Sequence, residues 1–302
     1  MKVLFVNRDP SLWIGGDMIQ TKNTISALRR LGVDCELTHH PEIDLSEFDL
    51  IHFVHVNFTF NRRLYDRCLE DGIPYVVTPI FYPEDRGIYF DRMKTYIENA
   101  KAVFPQSKLE IRDMVEWLDI KETNTHVIPN GVDKSVFFSD PTMVKQKRAI
   151  SVGRLEQNKG QHLAIVGCLS VPIDLCLIGS PGTVSYTEMC QLAAKWHYSG
   201  LEPEQMADEY RKSQVYICSS LSDRQSLAVL EAAACGLPIV DSVFNRGASL
   251  LPSSIIIDPR NPQTMAEAIK NQLGKVNTDY VPSWDDVALQ IKEHYDRIVC
   301  ND

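Results

Sequence analysis

The sequence predicts an α/β protein built as two doubly wound parallel-sheet domains. Three observations carry this. Short apolar runs rich in Val, Ile and Leu alternate with helical segments, the alternation restarts after one polar stretch, and glycine-bearing loops follow several of the runs. With 302 residues, 44% hydrophobic and 24% charged, the chain is long enough for two separate cores.

The opening run "KVLFVN" reads as a strand and "RDPSLWIGG" as a loop. A helix follows over about 17–31, with Met18, Ile25 and Leu28 on one face and Gly32 as its stop. Strands "VDCELT" and "FDLIHFVHV" come next, then a helix over 61–70 and a strand in "PYVVTPI". "AKAVFPQS" and "THVIPNG" read as further strands around the helix "LEIRDMVEWLD", and a first domain, 1–138, ends there. After the polar "SDPTMVKQK", strands "RAISVG", "IDLCLIG", "VYICSS", "LPIVDS" and "SIIID" with intervening helices make a second domain, 139–283. The last helix, about 284–300, carries Val287, Ile291, Tyr295 and Ile298 on one face, which must dock.

A formal net charge of −9 argues against nucleic acid as a partner, because phosphate-backbone affinity needs clustered Lys and Arg. The pairs Arg29-Arg30 and Arg62-Arg63 read as solvated helix faces, with peripheral contact to an anionic membrane surface as the other reading. No apolar run is long enough to span a bilayer, and the opening is too short for a signal-peptide core. Eight cysteines without a C-x-x-C pair suit buried, reduced thiols in a cytoplasmic protein. His52 and His55, three apart on a strand, point to opposite faces, so no metal site is expected there. The aromatic series Phe53, Phe58, Phe60, Tyr65, Phe81, Tyr82, Tyr89 and Phe90 reads as core, with part of it a candidate acceptor platform.

Three loops are candidates for chemistry. In "SLSDRQSLAVLEAAACGLPIV", residues 220–240, Asp223 and Glu231 on one unbroken helix would sit roughly 12 Å apart and about 80° around the axis. With "VYICSS" as strand, "LSDRQ" as turn and "SLAVLEAAACG" as helix, both acids can instead face one ligand at the carboxyl end of the sheet. The amides of Gln225, Ser226 and Leu227 at that helix start suit a phosphate. The plainer reading makes Asp223 a helix cap and Glu231 a solvated residue. In "ISVGRLEQNKG", Arg154 and Lys159 stand five apart in a glycine-flanked loop, where Arg can fork two phosphate oxygens and Lys can supply a point charge. Gly15 and Gly16 precede the first helix and allow close backbone approach, although no G-x-G-x-x-G fingerprint is present.

The combination of "GG" after the first strand, "VIPNGVDKSVF", "SVGRLEQNKG" and "SDRQSLAVLEAAACGLPIV" resembles the retaining glycosyltransferases of family 4, over nearly the whole chain and in the family's order. The resemblance implies a GT-B fold, two Rossmann-like domains facing a cleft. It implies a nucleotide-sugar donor, a UDP- or GDP-sugar, on the second domain and a glycan or lipid-linked acceptor on the first. Arg154 and Lys159 would grip the diphosphate, Glu231 the ribose hydroxyls, and Asp223 the sugar at the reacting carbon; Gly15 and Gly16 would close over the diphosphate. The catalytic set is then Asp223, Arg154 and Lys159. No metal or other cofactor is implied, polysaccharide or glycan synthesis is the expected setting, and the final helix would cross back to the first domain.

The chain departs from the family pattern at three places. Asp223 stands where Glu is usual, Arg224-Gln225-Ser226 replaces Gly-Phe-Gly, and no His follows "YVVT". A non-catalytic nucleotide-sugar-binding subunit and a nucleotide-sugar epimerase are the alternatives of the same fold.

Overall fold

A computed structural model describes residues 1–9, 15–56, 62–84 and 90–300. The chain divides into two compact units: Met1–Gly131 with Pro282–Asp302, and Val132–Val281.

The first unit contains β1 (Lys2–Val6), α1 (Gly16–Arg30), β2 (Asp34–Thr38), β3 (Leu50–Val54), α2 (Arg62–Asp71), β4 (Tyr75–Thr78), α3 (Phe90–Glu98), β5 (Ala102–Val103), α4 (Lys108–Leu118) and, from the end of the chain, α10 (Trp284–Cys300). Its five strands are parallel in the order β2-β1-β3-β4-β5. β3 and β4 are buried at every position, which is why they read as continuous apolar runs without alternation. Phe53 stacks on Tyr65, which stacks on Tyr96, so this part of the aromatic series is core. Phe58, Phe60 and Tyr89 lie outside the described residues.

The second unit contains β6 (Arg148–Val152), α5 (Gln161–Leu169), β7 (Asp174–Ile178), α6 (Val184–Ala193), β8 (Trp196–Tyr198), α7 (Pro203–Lys212), β9 (Val215–Ile217), α8 (Leu227–Ala234), β10 (Ile239–Ser242), β11 (Ile255–Ile257) and α9 (Pro262–Gln272). Its six parallel strands run β11-β10-β9-β6-β7-β8. Successive residues feed opposite faces of this sheet: Ile150, Tyr216 and Ile239 join one core with Leu230 of α8, while Ala149, Val215 and Val240 join another with Ala164 of α5 and Ile269 of α9.

Three expectations change. The first is the boundary near 138, which moves to Gly131/Val132 because Val132 and Phe137 pack into the second unit's core. "THVIPNG" forms only an isolated bridge, Val103 with Thr125, because Pro105 and Pro129 have no N–H to extend a ladder. The sequence reading had β6, β7, β9, β10 and β11, but "KWHYSGLEPEQ" supplies a sixth strand, β8, and the start of α7. Pro203 sits at the first turn of α7, with Gln205 Oε1 accepting from Glu202 N at 3.0 Å.

Helix α10 packs on α1, with Val287, Ile291 and Tyr295 buried and Ile298 half-buried. Tyr295 Oη meets His52 Nδ1, whose Nε2 pairs with Thr78 Oγ1 at 2.8 Å, so this histidine tethers the helix to the sheet. Arg30 pairs with Asp285 at 2.5 Å and Arg29 donates to Cys35 O at 2.6 Å, which engages that basic pair within its own unit. Cys35, Cys68, Cys168, Cys176, Cys190, Cys218 and Cys235 are buried free thiols, and Cys300 is exposed. Among the described residues no helix is long and apolar enough to cross a membrane.

Candidate functional site

In the second sheet β6 lies between β7 and β9, so connections leave it in opposite directions there. The loops after β6 and β9 therefore open side by side at the carboxyl edge, the position where open α/β sheets take ligands. Backbone stitching joins them: Leu221 N donates to Asn158 O at 2.7 Å, and Ser219 Oγ donates to Lys159 O at 3.1 Å. Gly160 makes this approach feasible. Its φ is +66°, and a Cβ there would lie 2.0 Å from Ser219 O, so only glycine fits.

The consequence is an ion pair. The Lys159 ammonium donates to Asp223 Oδ2 at 2.7 Å, with Asp223 only 8% exposed. Asp223 is not a helix cap, because α8 begins at Leu227 with Ser226 in the capping position. Asp223 Oδ1 instead accepts from Arg224 N at 3.1 Å. Gln225 thus precedes the helix, Ser226 caps it, and Leu227 is its first residue; all three stand beside Asp223 in the chain.

Glu231 lies on α8, half-buried, and its Oε2 accepts a hydrogen bond from Tyr210 Oη at 3.0 Å. Loss of solvent pushes its carboxyl up to about 7, although the Tyr210 hydroxyl pulls the other way. Glu231 is therefore no solvated helix residue. Tyr210 is fully buried on α7 and was missed at the sequence level; the Met206–Tyr210 spacing of four on one helix face was the available signal.

Arg154 does not join the Lys159–Asp223 pair. Its guanidinium donates to Glu156 Oε1 at 2.8 Å, with both side chains about one-third exposed at 35% and 32%. Gln161 Nε2, donating to Arg154 O at 2.8 Å, shapes the same loop from below.

In the first unit, Gly15 caps α1 in extended conformation, and Met18 N donates to its carbonyl at 3.1 Å. Gly16 is the first helical residue. Buried Arg8, just past β1, forks the Asp17 carboxylate at 2.7 and 2.8 Å, which locks that first turn. The start of α1 thus presents two glycines ahead of Asp17, whose charge Arg8 offsets, and its free backbone N–H groups suit an anion. Among the described residues no group of three or more metal-ligand side chains occurs.

The second unit thus holds a paired cation and acid in the loops at the carboxyl edge of its sheet, and a second acid, its carboxyl pushed up by burial, on the helix that follows. Residues 146–275, which run from just before β6 to just after α9, match the family model described as Glycosyl transferases group 1. The chain is 23% identical over 256 residues to the D-inositol 3-phosphate glycosyltransferase of Corynebacterium urealyticum, covering 70% of this chain and 60% of that one. Against the curated relatives it matches, the chain spans about half of their length. Among solved structures, sucrose-phosphate synthase from Thermosynechococcus elongatus superposes with a TM-score of 0.83 at 15% identity, covering 100% of both chains. Anabaena Alr3699/HepE in complex with UDP and glucose superposes with 0.77 at 15% identity, covering 98% of this chain and 99% of that one. The two parallel sheets with their helices have the GT-B fold of these glycosyltransferase structures.

Proposed function

Starting from a chain that carries a group 1 glycosyltransferase domain in residues 146–275, we propose that it transfers a sugar from a nucleoside diphosphate sugar to a hydroxyl acceptor, with retention at the anomeric carbon. The observation that carries this reading is the Lys159–Asp223 pair at the switch point of the second sheet, in the loop that leads into α8, the helix that carries Glu231. The solved complexes of HepE hold UDP with glucose and UDP-glucose, which makes a UDP-sugar the first donor to test, with GDP-sugars second.

In this reaction the bond between the anomeric carbon and the diphosphate breaks, and the acceptor oxygen takes the diphosphate's place. Lys159 and Arg154, with the start of α8, stabilise negative charge growing on the leaving diphosphate. Gly15 and Gly16 offer backbone N–H groups at the start of α1, the first unit's own place for an anion. A diphosphate oxygen of the donor accepts the acceptor proton on the same face, so no protein nucleophile is needed. Asp223 holds hydroxyls of the transferred sugar, and Glu231 accepts from the ribose. The first unit carries the glycan or lipid-linked acceptor, and no metal takes part.

The test is release of nucleoside diphosphate from a panel of UDP- and GDP-sugars, with and without hydroxyl acceptors, followed by NMR of the product anomer. Retained configuration and loss of release in Lys159→Ala are expected. An inverted product would overturn retention. Donor binding without any release would favour a binding subunit, and donor conversion without acceptor an epimerase.

A further inference from the structure

We propose that Asp241 is a positioning residue for the Asp223 carboxylate, acting through Asn245; this rests on the reaction proposed above. Asp241 is fully buried at the end of β10. The hydrogen bonds it accepts come from neutral donors: Asn245 Nδ2 reaches its two oxygens at 2.9 and 3.1 Å, and Ser242 N reaches Oδ1 at 2.8 Å. A buried carboxyl of this kind is costly to keep without a cation, so what it holds in place is informative.

What it holds is the amide of Asn245, itself 2% exposed, whose own Oδ1 accepts from Gly247 N at 3.3 Å. That bonding sets the path of residues 243–247. The same segment brackets Asp223 along the backbone. Asp223 N donates to Phe244 O at 3.1 Å, Arg246 N donates to Asp223 O at 3.1 Å, and Asn245 and Asp223 form an isolated parallel bridge. Gly247 seals the contact further along, because a Cβ there would lie 2.7 Å from Gln225 Cγ. The backbone of Asp223 is thus held on one side by a segment that Asp241 organises, while Lys159 holds its carboxylate on the other. Shifting residues 243–247 would move Asp223 away from the atom it serves.

The experiment compares the full chain with Asp241→Asn and with the swap Asp241→Asn/Asn245→Asp. In the single variant an amide N–H₂ faces the Asn245 amide donor, whereas the swap restores one donor opposite one acceptor. Turnover of the donor should fall on the order of 10- to 100-fold in the single variant, while its KM changes by less than about threefold; the swap should recover most of that loss. Independently of turnover, the carboxyl carbon resonance of Asp223 should move in Asp241→Asn and return in the swap. Wild-type turnover and an unmoved Asp223 resonance in Asp241→Asn would overturn the inference. So would loss of thermal stability with turnover intact at temperatures where the variant is folded, since that is what a merely structural role predicts. If wild-type protein turns over no nucleotide sugar, the proposed reaction fails, and the Asp223 resonance alone decides this inference.

Discussion

Lys159 and Asp223 are 64 positions apart in the sequence, yet their side chains meet at 2.7 Å with Asp223 almost fully enclosed. In the proposed reaction the cation assigned to the diphosphate is thereby held in place by the acid assigned to the sugar. Each is expected to depend on the other. Lys159→Ala should lower donor turnover on the order of 10²–10³-fold, the scale set by removing one group that stabilises a developing anion. Asp223→Asn should lower turnover with little change in donor KM. Since the two residues are in contact, the losses in the double variant should be less than additive, and simple additivity in a double-mutant cycle would sink the assignment.

Glu231 predicts opposing effects on stability and binding. A carboxyl held at about 7 in the folded chain, against an ordinary 4.5, binds its proton more tightly folded than unfolded. Its ionisation therefore weakens the fold progressively as pH rises from about 4.5 to 7, with no further loss above that. Glu231→Gln should raise the melting temperature by several degrees at pH 8 and leave it unchanged at pH 4. The same variant should bind donor about tenfold more weakly at pH 8, the loss of one hydrogen bond to a charged group. Calorimetry and thermal melts at the two pH values check this; an unchanged melting temperature at pH 8 contradicts it.

Gly160→Ala tests the stitching of the two loops. The added methyl group would lie 2.0 Å from Ser219 O in a backbone at φ +66°. Unfolding free energy should drop by roughly 2–4 kcal/mol, and donor affinity should fall as Lys159 is displaced. Urea denaturation and donor titration measure both, and a variant with normal stability would mean the loops do not approach this closely.

His52 predicts the opposite pH trend, in the other unit. Burial lowers it to about 3, from an ordinary 6.5. The unfolded chain then binds the proton first, so the stability His52 contributes is present above 6.5 and is lost as pH falls toward 3. Amides of β3, β4 and α10 should lose exchange protection, after correction for intrinsic rate, between pH 7 and 5. In His52→Gln that pH-dependent loss should shrink, while Glu231→Gln should leave it intact.

Arg154→Ala should be gentle to the fold and hard on the donor. Its pair with Glu156 is about one-third exposed on each side, so its loss should cost at most about 1 kcal/mol of stability. Donor affinity should nonetheless fall, on the order of tenfold, if the guanidinium turns to the diphosphate when donor binds. Equal affinity in variant and wild type would remove Arg154 from the site.

Much of the architecture was legible in the residues. "IDLCLIG" and "VYICSS" are apolar at nearly every position because both faces of a parallel sheet are covered, and they became β7 and β9. Gly32 and Gly236 marked helix ends because their backbones turn left-handed, at φ 80° and 79°. "KWHYSGLEPEQ" was illegible because β8 is three half-buried residues at a sheet edge, too short to display a period. "THVIPNG" misled because its apolar residues suit a strand whose prolines cannot sustain one.

The sequence by itself determined two α/β units, the helix after Asp223, and a set of cations and acids at the ends of strands, because hydrophobic period and turn chemistry are local. It did not determine which charges meet. That Lys159, and not Arg154, takes Asp223 follows from a glycine that admits the β9 loop to the β6 loop. That the Glu231 carboxyl is pushed up to about 7 follows from enclosure, against the opposing pull of Tyr210 on the neighbouring helix α7. Spacing along a chain carries no measure of solvent exclusion, and solvent exclusion is what raises the Glu231 carboxyl.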